Sequence, residues 1–148
     1  MNRWDRHFLE MAFLVGSMSK DPSTKTGAVI VRPDRSVCST GFNGFPRGMR
    51  DDAEVYNNRE MKYDRIVHCE MNALLHSRDP HHDGYTLYTT PFISCSRCAV
   101  HMIQAGIRRF VAPRPTSEQL ERWGEAFERT RSYFAEVDAE LVEVAWGE

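Results

Sequence analysis

Apolar residues recur at three- and four-residue intervals at Trp4, Phe8, Met11, Ala12 and Val15, and this period predicts a helix over Trp4–Met18. Lys20–Lys25 is polar around Pro22 and reads as a loop. Thr26–Val31 is short, β-branched and largely apolar, the character of a buried strand. Pro33-Asp34 marks a turn, after which Ser36–Phe42 returns as the second strand of a hairpin. The pattern then breaks. Gly41, Gly44, Pro46 and Gly48 punctuate Gly41–Met49, and the chain stays mostly polar as far as Val67. A loop of that length in a small domain is unusual and often functional. The plainer reading is a solvated excursion that holds a short helix.

Periodicity returns near His68 with a helix to about Ser77, on which Ala73, Leu74 and Leu75 are apolar. Pro80–Gly84 is a turn and Tyr85–Thr89 a strand, ended by Pro91, which has no N–H for a ladder. Cys95 to Gln104 forms a further helix, closed by Gly106. Ile107–Ala112 reads as a strand, Pro113 and Pro115 break the chain, and Glu118–Phe134 is helical with Leu120, Trp123, Phe127 and Phe134 directed at the core. Leu141–Val144 is a last strand. The order α-β-β-(α)-β-α-β-α-β predicts an α/β fold, a largely continuous sheet with helices on both faces. Residues 1–148 read as one domain.

Composition narrows the function. The length of 148 residues suits a single core, and 41% hydrophobic residues argue against a disordered chain. The net charge of -2 offers no basic excess for a polymeric nucleic acid, although a small phosphorylated ligand needs only a few convergent donors. The polar start Met1–Glu10 carries no secretory signal, and no run reaches the roughly 18 apolar residues of a membrane span. A cytoplasmic protein is expected. In a reducing compartment Cys38, Cys69, Cys95 and Cys98 call for an explanation other than disulfides.

Two motifs supply one: His68-Cys69-Glu70 and Cys95-x-x-Cys98. Two sulfurs three positions apart at a helix start can face one ion, and the positive helix end favours thiolates. One imidazole completes a set of three protein ligands, the usual count for catalytic zinc with a fourth position left for water. A carboxylate near such a water, here Glu70, can accept and return protons. Each piece alone is weak. Cys-x-x-Cys also describes a redox pair, a lone histidine is more often a cap or core residue, and Cys69 could serve as the fourth ligand of a structural site. The combination favours an open, hydrolytic site.

The pattern His68-x-Glu70 with Cys95-x-x-Cys98 resembles the zinc-dependent cytidine and deoxycytidylate deaminase family. Thr26-Gly27-Ala28-Val29-Ile30, the glycine-rich Gly41–Gly48, His68–Leu74 and Ile103–Ile107 make the deoxycytidylate branch the nearer likeness, over about residues 5 to 112. The resemblance implies a three-layer α-β-α cytidine-deaminase-like fold with a central mixed five-stranded sheet. It implies Zn2+ held by His68, Cys95 and Cys98, Glu70 as proton shuttle, and hydrolysis of dCMP to dUMP and ammonia. Asn43 would meet the sugar or phosphate region, Arg47 a phosphate in the active or a regulatory site, and the Cys69 N–H the base O2, its thiol filling space. Tyr63 and Phe92 are aromatic candidates for substrate contact, or for burial. Homo-oligomers up to hexamers and response to dCTP or dTTP are further implications. Three departures stand out: Ser94 where relatives usually have proline, Cys69 where alanine is common, and an extra residue within Thr89–Ser94. They leave open another free or 5-modified cytosine nucleotide, nucleoside or base, or a deoxynucleotide sensor without turnover. His76, His81 and His82 read as loop or helix-end residues rather than ligands.

Overall fold

The computed structural model describes residues 2–146. Helix α1 (Arg3–Gly16) starts at Asn2, whose side chain accepts from the Asp5 amide at 2.8 Å, the usual way to satisfy a free first-turn N–H. Strands β1 (Gly27–Val31) and β2 (Val37–Phe42) form the expected hairpin. The helices α2 (Ala53–Asn57) and α3 (Arg59–Arg65) follow, then α4 (Cys69–His76), β3 (Thr86–Thr90), α5 (Ser96–Gln104), β4 (Arg109–Pro113), α6 (Ser117–Glu136) and β5 (Glu140–Val144).

The sheet has five strands in the order β2-β1-β3-β4-β5. β1 runs antiparallel to both its neighbours, while β3, β4 and β5 are parallel, so the sheet is mixed as expected. Each parallel step needs a crossover, and α5 and α6 supply them. Right-handed crossovers that step in one direction fall on one face, and α5 and α6 do share a face: Ala99, Met102 and Phe134 join one core cluster.

Strand alternation divides the core in two. Ala28 and Ile30 of β1, Leu87 of β3 and Phe110 of β4 face α4, α5 and α6. Val29 and Val31, Tyr88 and Val111 face Phe8, Leu9 and Ala12 of α1. Three layers result, α1 on one side and three helices on the other. Asp5 of α1 is fixed to the sheet by a two-pronged Arg109 contact, both N–O distances 2.9 Å, and by the Tyr88 hydroxyl at 2.8 Å.

Two approaches are too close for any side chain. A Cβ at Gly27 would lie 1.9 Å from the Ala12 carbonyl, so β1 meets α1 backbone to backbone. A Cβ at Gly41 would lie 2.4 Å from both the Ala73 nitrogen and the Cys69 oxygen, which sets how tightly α4 sits on β2.

The structure corrects some local expectations. The polar stretch holds two short helices, capped by Asp52 and Asn58, and stacks Phe45 on Tyr56 with ring centres 4.2 Å apart. Ile107 precedes the strand rather than starting it, because its N–H closes α5 on the Met102 carbonyl at 3.1 Å. Leu120 is 46% exposed. The inward stripe of α6 begins one turn later, at Trp123, and continues through Phe127, Thr130 and Phe134.

Candidate active site

Distant segments converge where β3 ends and β1 begins, around the paired residues Thr90 and Gly27. Ligands in open α/β sheets collect outside the carboxyl ends of strands, and both α4 and α5 start at this edge. Each starts on a residue of the sequence motifs. His68 is the N-cap of α4 and Cys95 the N-cap of α5, both with extended backbone, ψ 157° and 161°. Cys95 Sγ accepts from the Cys98 amide at 3.4 Å and so closes its own helix. The His68 side chain makes no such bond, which leaves the first turn of α4 without a side-chain acceptor.

His68, Cys95 and Cys98 come together with their ligand atoms all within 4.8 Å of one another. His68 Nδ1 is 3.4 Å from Cys95 Sγ and 3.3 Å from Cys98 Sγ. A tetrahedral zinc ion at ordinary bond lengths would separate such atoms by roughly 3.6 Å, so nitrogen and both sulfurs fit that ion with little movement. The protonation pattern suits cation binding too. The Cys98 hydrogen bond, and then His68, hold the Cys95 thiol down to about 4 against the effect of burial. Its partner Cys98 is pushed up by the bond to Cys95, by burial and by nearby Glu70. The Cys95 contact also raises His68, against burial. A divalent cation among the three displaces the protons they share.

Glu70, one residue into α4 from its first position, is buried at 5% exposure and lines a cavity of about 290 Å³ with His68, Cys69 and Cys95. Cys69, 2% exposed, donates its thiol to Glu70 Oε1 at 3.0 Å. Burial first, and then the Glu70 charge, push this thiol well above the usual range. Its proton is retained, and among the described residues Cys69 stands outside the ligand group.

Asn43, Tyr63 and Phe92 also line the cavity. Asn43 is buried and organises the wall. Its Oδ1 accepts from the Thr26 amide at 2.9 Å, and its Nδ2 donates to the Thr24 carbonyl at 3.0 Å and to Asp21 Oδ2 at 3.2 Å. Tyr63 is exposed at the rim, with the Arg59 guanidinium over its ring. Phe92 packs on Trp123 and Phe127, with centres 5.2 and 5.6 Å away. Arg47 is not brought to the cavity: it is exposed, and its Nη2 lies 3.5 Å from His76 Nε2. The other histidines stay outside the ligand group as well; His76 Nδ1 meets the Thr40 carbonyl and His82 the Ser77 hydroxyl, both at 2.8 Å. Ser94 is buried, its carbonyl accepts from Thr130 at 2.9 Å, and its hydroxyl has no partner among the described residues.

Sequence reasoning missed Asp21, Thr24, Lys62, Arg122 and Trp123, all of which line the cavity. Lys62 of α3 reaches Asp21 Oδ1 at 2.9 Å, with the lysine side chain 14% and the aspartate 5% exposed. Asp21 also accepts the Ser23 amide at 2.8 Å, so the lysine is not its sole partner. No local motif marks these residues, because only the fold brings them together.

A three-ligand nitrogen–sulfur group, a buried carboxylate beside it and an open-mouthed cavity on a mixed sheet define the zinc-dependent hydrolytic deaminases as a class. The profile of the cytidine and deoxycytidylate deaminase zinc-binding region matches residues 2–113. The chain belongs to the cytidine and deoxycytidylate deaminase family. It is 41% identical over 146 residues to an uncharacterized deaminase in the luxG 3' region of Aliivibrio fischeri, covering 99% of this chain and 95% of that protein. It is 34% identical over 113 residues to deoxycytidylate deaminase of Homo sapiens, covering 73% of this chain and 63% of the human one. The crystal structure of dCMP deaminase from the cyanophage S-TIM5 in complex with dCMP and dUMP superposes with a TM-score of 0.72 at 20% identity, covering 97% of this chain and 99% of that one, a likeness of fold. Among the described residues no helix is long and apolar enough to cross a membrane.

Proposed function

We infer that this chain hydrolyses dCMP to dUMP and ammonia. The observation that carries the reading is Glu70, a buried carboxylate on the cavity wall beside the His68, Cys95 and Cys98 group. His68, Cys95 and Cys98 would hold zinc there, and the ion would supply an activated water. Glu70 would take one proton from that water and pass it to N3 of cytosine, then take the remaining proton of the hydroxyl added at C4 and pass it to the amine, which leaves as ammonia. Water and dCMP are consumed, and dUMP and ammonia leave. The first-turn amide of Cys69 is a donor suited to the base O2. Asn43 Oδ1 keeps a second lone pair for the sugar, and Phe92 and Tyr63 flank the base and the rim. Lys62 and Arg122 are the lysine and arginine lining the cavity, and we assign Lys62 to the 5'-phosphate. Arg47 is exposed beside His76 and does not line the cavity, so it is not assigned to that phosphate.

Glu70→Gln keeps the metal ligands and removes the proton acceptor. Ammonia release from dCMP should fall by about 10²–10⁴-fold, with zinc content unchanged by elemental analysis. Full turnover in that variant would overturn the reading, and nucleotide binding without any turnover in the unaltered chain would indicate a sensor. Parallel assays with dCTP, deoxycytidine and 5-substituted dCMP fix the substrate: loss of activity without the 5'-phosphate supports the nucleotide. Two finer parts of this reading rest on the family resemblance, assembly into homo-oligomers up to hexamers and control by dCTP and dTTP. Sedimentation, and saturation curves with each triphosphate, test them.

A further inference from the structure

A carboxylate withdrawn from water needs donors to hold it, and the Cys69 thiol donates to Glu70 Oε1 at 3.0 Å. A thiol is a weak donor, yet this one is well placed. It is next to Glu70 in the chain, fixed in the first turn of α4, and only 2% exposed. Its contact occupies one carboxylate oxygen and leaves Oε2 for the reactants. We propose that Cys69 is a positioning residue, whose S–H anchors Glu70 Oε1 and sets the direction in which the carboxylate faces the cavity. The proposal rests on Glu70 as the proton shuttle. A group that takes a proton at one point and returns it at another works best from a fixed orientation, because misplacement is costly in rate.

Cys69 also belongs to the core cluster with Ala28 and Ala73, so the test must separate positioning from packing. Cys69→Ala and Cys69→Ser are compared with the unaltered chain, all loaded with zinc and assayed for kcat and KM with dCMP. Cys69→Ala should lower kcat roughly tenfold, the loss expected for one hydrogen bond to a charged group, while KM changes by less than about twofold. Cys69→Ser restores a donor and should stay within about threefold of the original kcat. A second readout needs no turnover. The infrared S–H stretch of Cys69, identified by its loss in Cys69→Ala, should move to higher frequency in Glu70→Gln, because a neutral amide accepts more weakly than a carboxylate. An unchanged kcat in Cys69→Ala, or a band indifferent to Glu70→Gln, overturns the proposal. Lowered melting temperatures in both Cys69 variants with kcat intact assign the thiol to packing alone, and also overturn it. Turnover retained by Glu70→Gln sinks the shuttle reading instead, a result that the kinetics of the Cys69 variants cannot imitate.

Discussion

Lys62 is an ammonium with 14% of its side chain exposed, on a short helix, with one carboxylate contact at 2.9 Å. An ammonium has three donors, so two remain for a ligand in the cavity it lines. Asp21 does not depend on it, since Asn43 and the Ser23 amide also reach that carboxylate. Lys62→Met should therefore leave the fold in place and weaken phosphate recognition. The expected result is a KM for dCMP raised by about 10–100-fold, as for loss of a charge-assisted contact, with little change in residual activity on deoxycytidine. Steady-state kinetics on both substrates checks it, and an equal effect on the two would remove Lys62 from the phosphate site. Legibility at this scale followed covalent spacing. His68, Glu70, Cys95 and Cys98 stand in two short motifs, each weak alone and legible in combination. Lys62, Asp21 and Arg122 have no meaning until the fold unites them. Arg47 shows the reverse: a plausible residue type in a suggestive loop, carried to the surface beside His76.

The elements were readable where a period runs long enough to be counted. α1, α5 and α6 and the five strands appear in the sequence with boundary shifts of a few residues. α2 and α3 span five and seven residues, too short for a repeating apolar face, and their caps Asp52 and Asn58 emerge only in the structure. What periodicity cannot give is how closely two elements approach, and here that distance governs the site. α4 carries Glu70 and starts at His68, and its seat on β2 is set by the missing side chain of Gly41. Gly41→Ala would thrust a methyl against backbone that cannot yield locally, so the helix must move as a body. The expected cost is about 3 kcal/mol. A displacement near 1 Å would also lower kcat/KM by roughly 10²-fold. Thermal melting and dCMP kinetics together test this, and a variant that melts and turns over normally would show that α4 is not held there.

Over the whole molecule, α1 covers one sheet face by itself, and Asp5 fastens it through Arg109 and Tyr88. Burial pushes the Asp5 carboxyl up, but its bonds to Arg109 and Tyr88 outweigh that and hold it below the usual range. A group lowered on folding contributes stability that is complete above its unfolded value, about pH 3.9, and is lost as pH falls through the lower folded value. Asp5→Asn should cost about 2 kcal/mol near neutrality and flatten the acid limb of the melting temperature against pH. An acid limb identical to that of the unaltered chain would show that other carboxylates set it. The layer order was legible because strand alternation requires two covered faces; the Asp5–Arg109 fastening was not, because its ends lie 104 residues apart. A further consequence concerns the imidazole at the start of α4. A serine or aspartate in place of His68 would close that turn and add about 1 kcal/mol to the ion-free fold. The chain forgoes this margin, and binding of the ion supplies stability in its stead. Copies that have not acquired zinc should accordingly open more readily, and limited proteolysis with and without a chelator checks it: the stripped chain is expected to be cut faster, at a rate that added zinc restores.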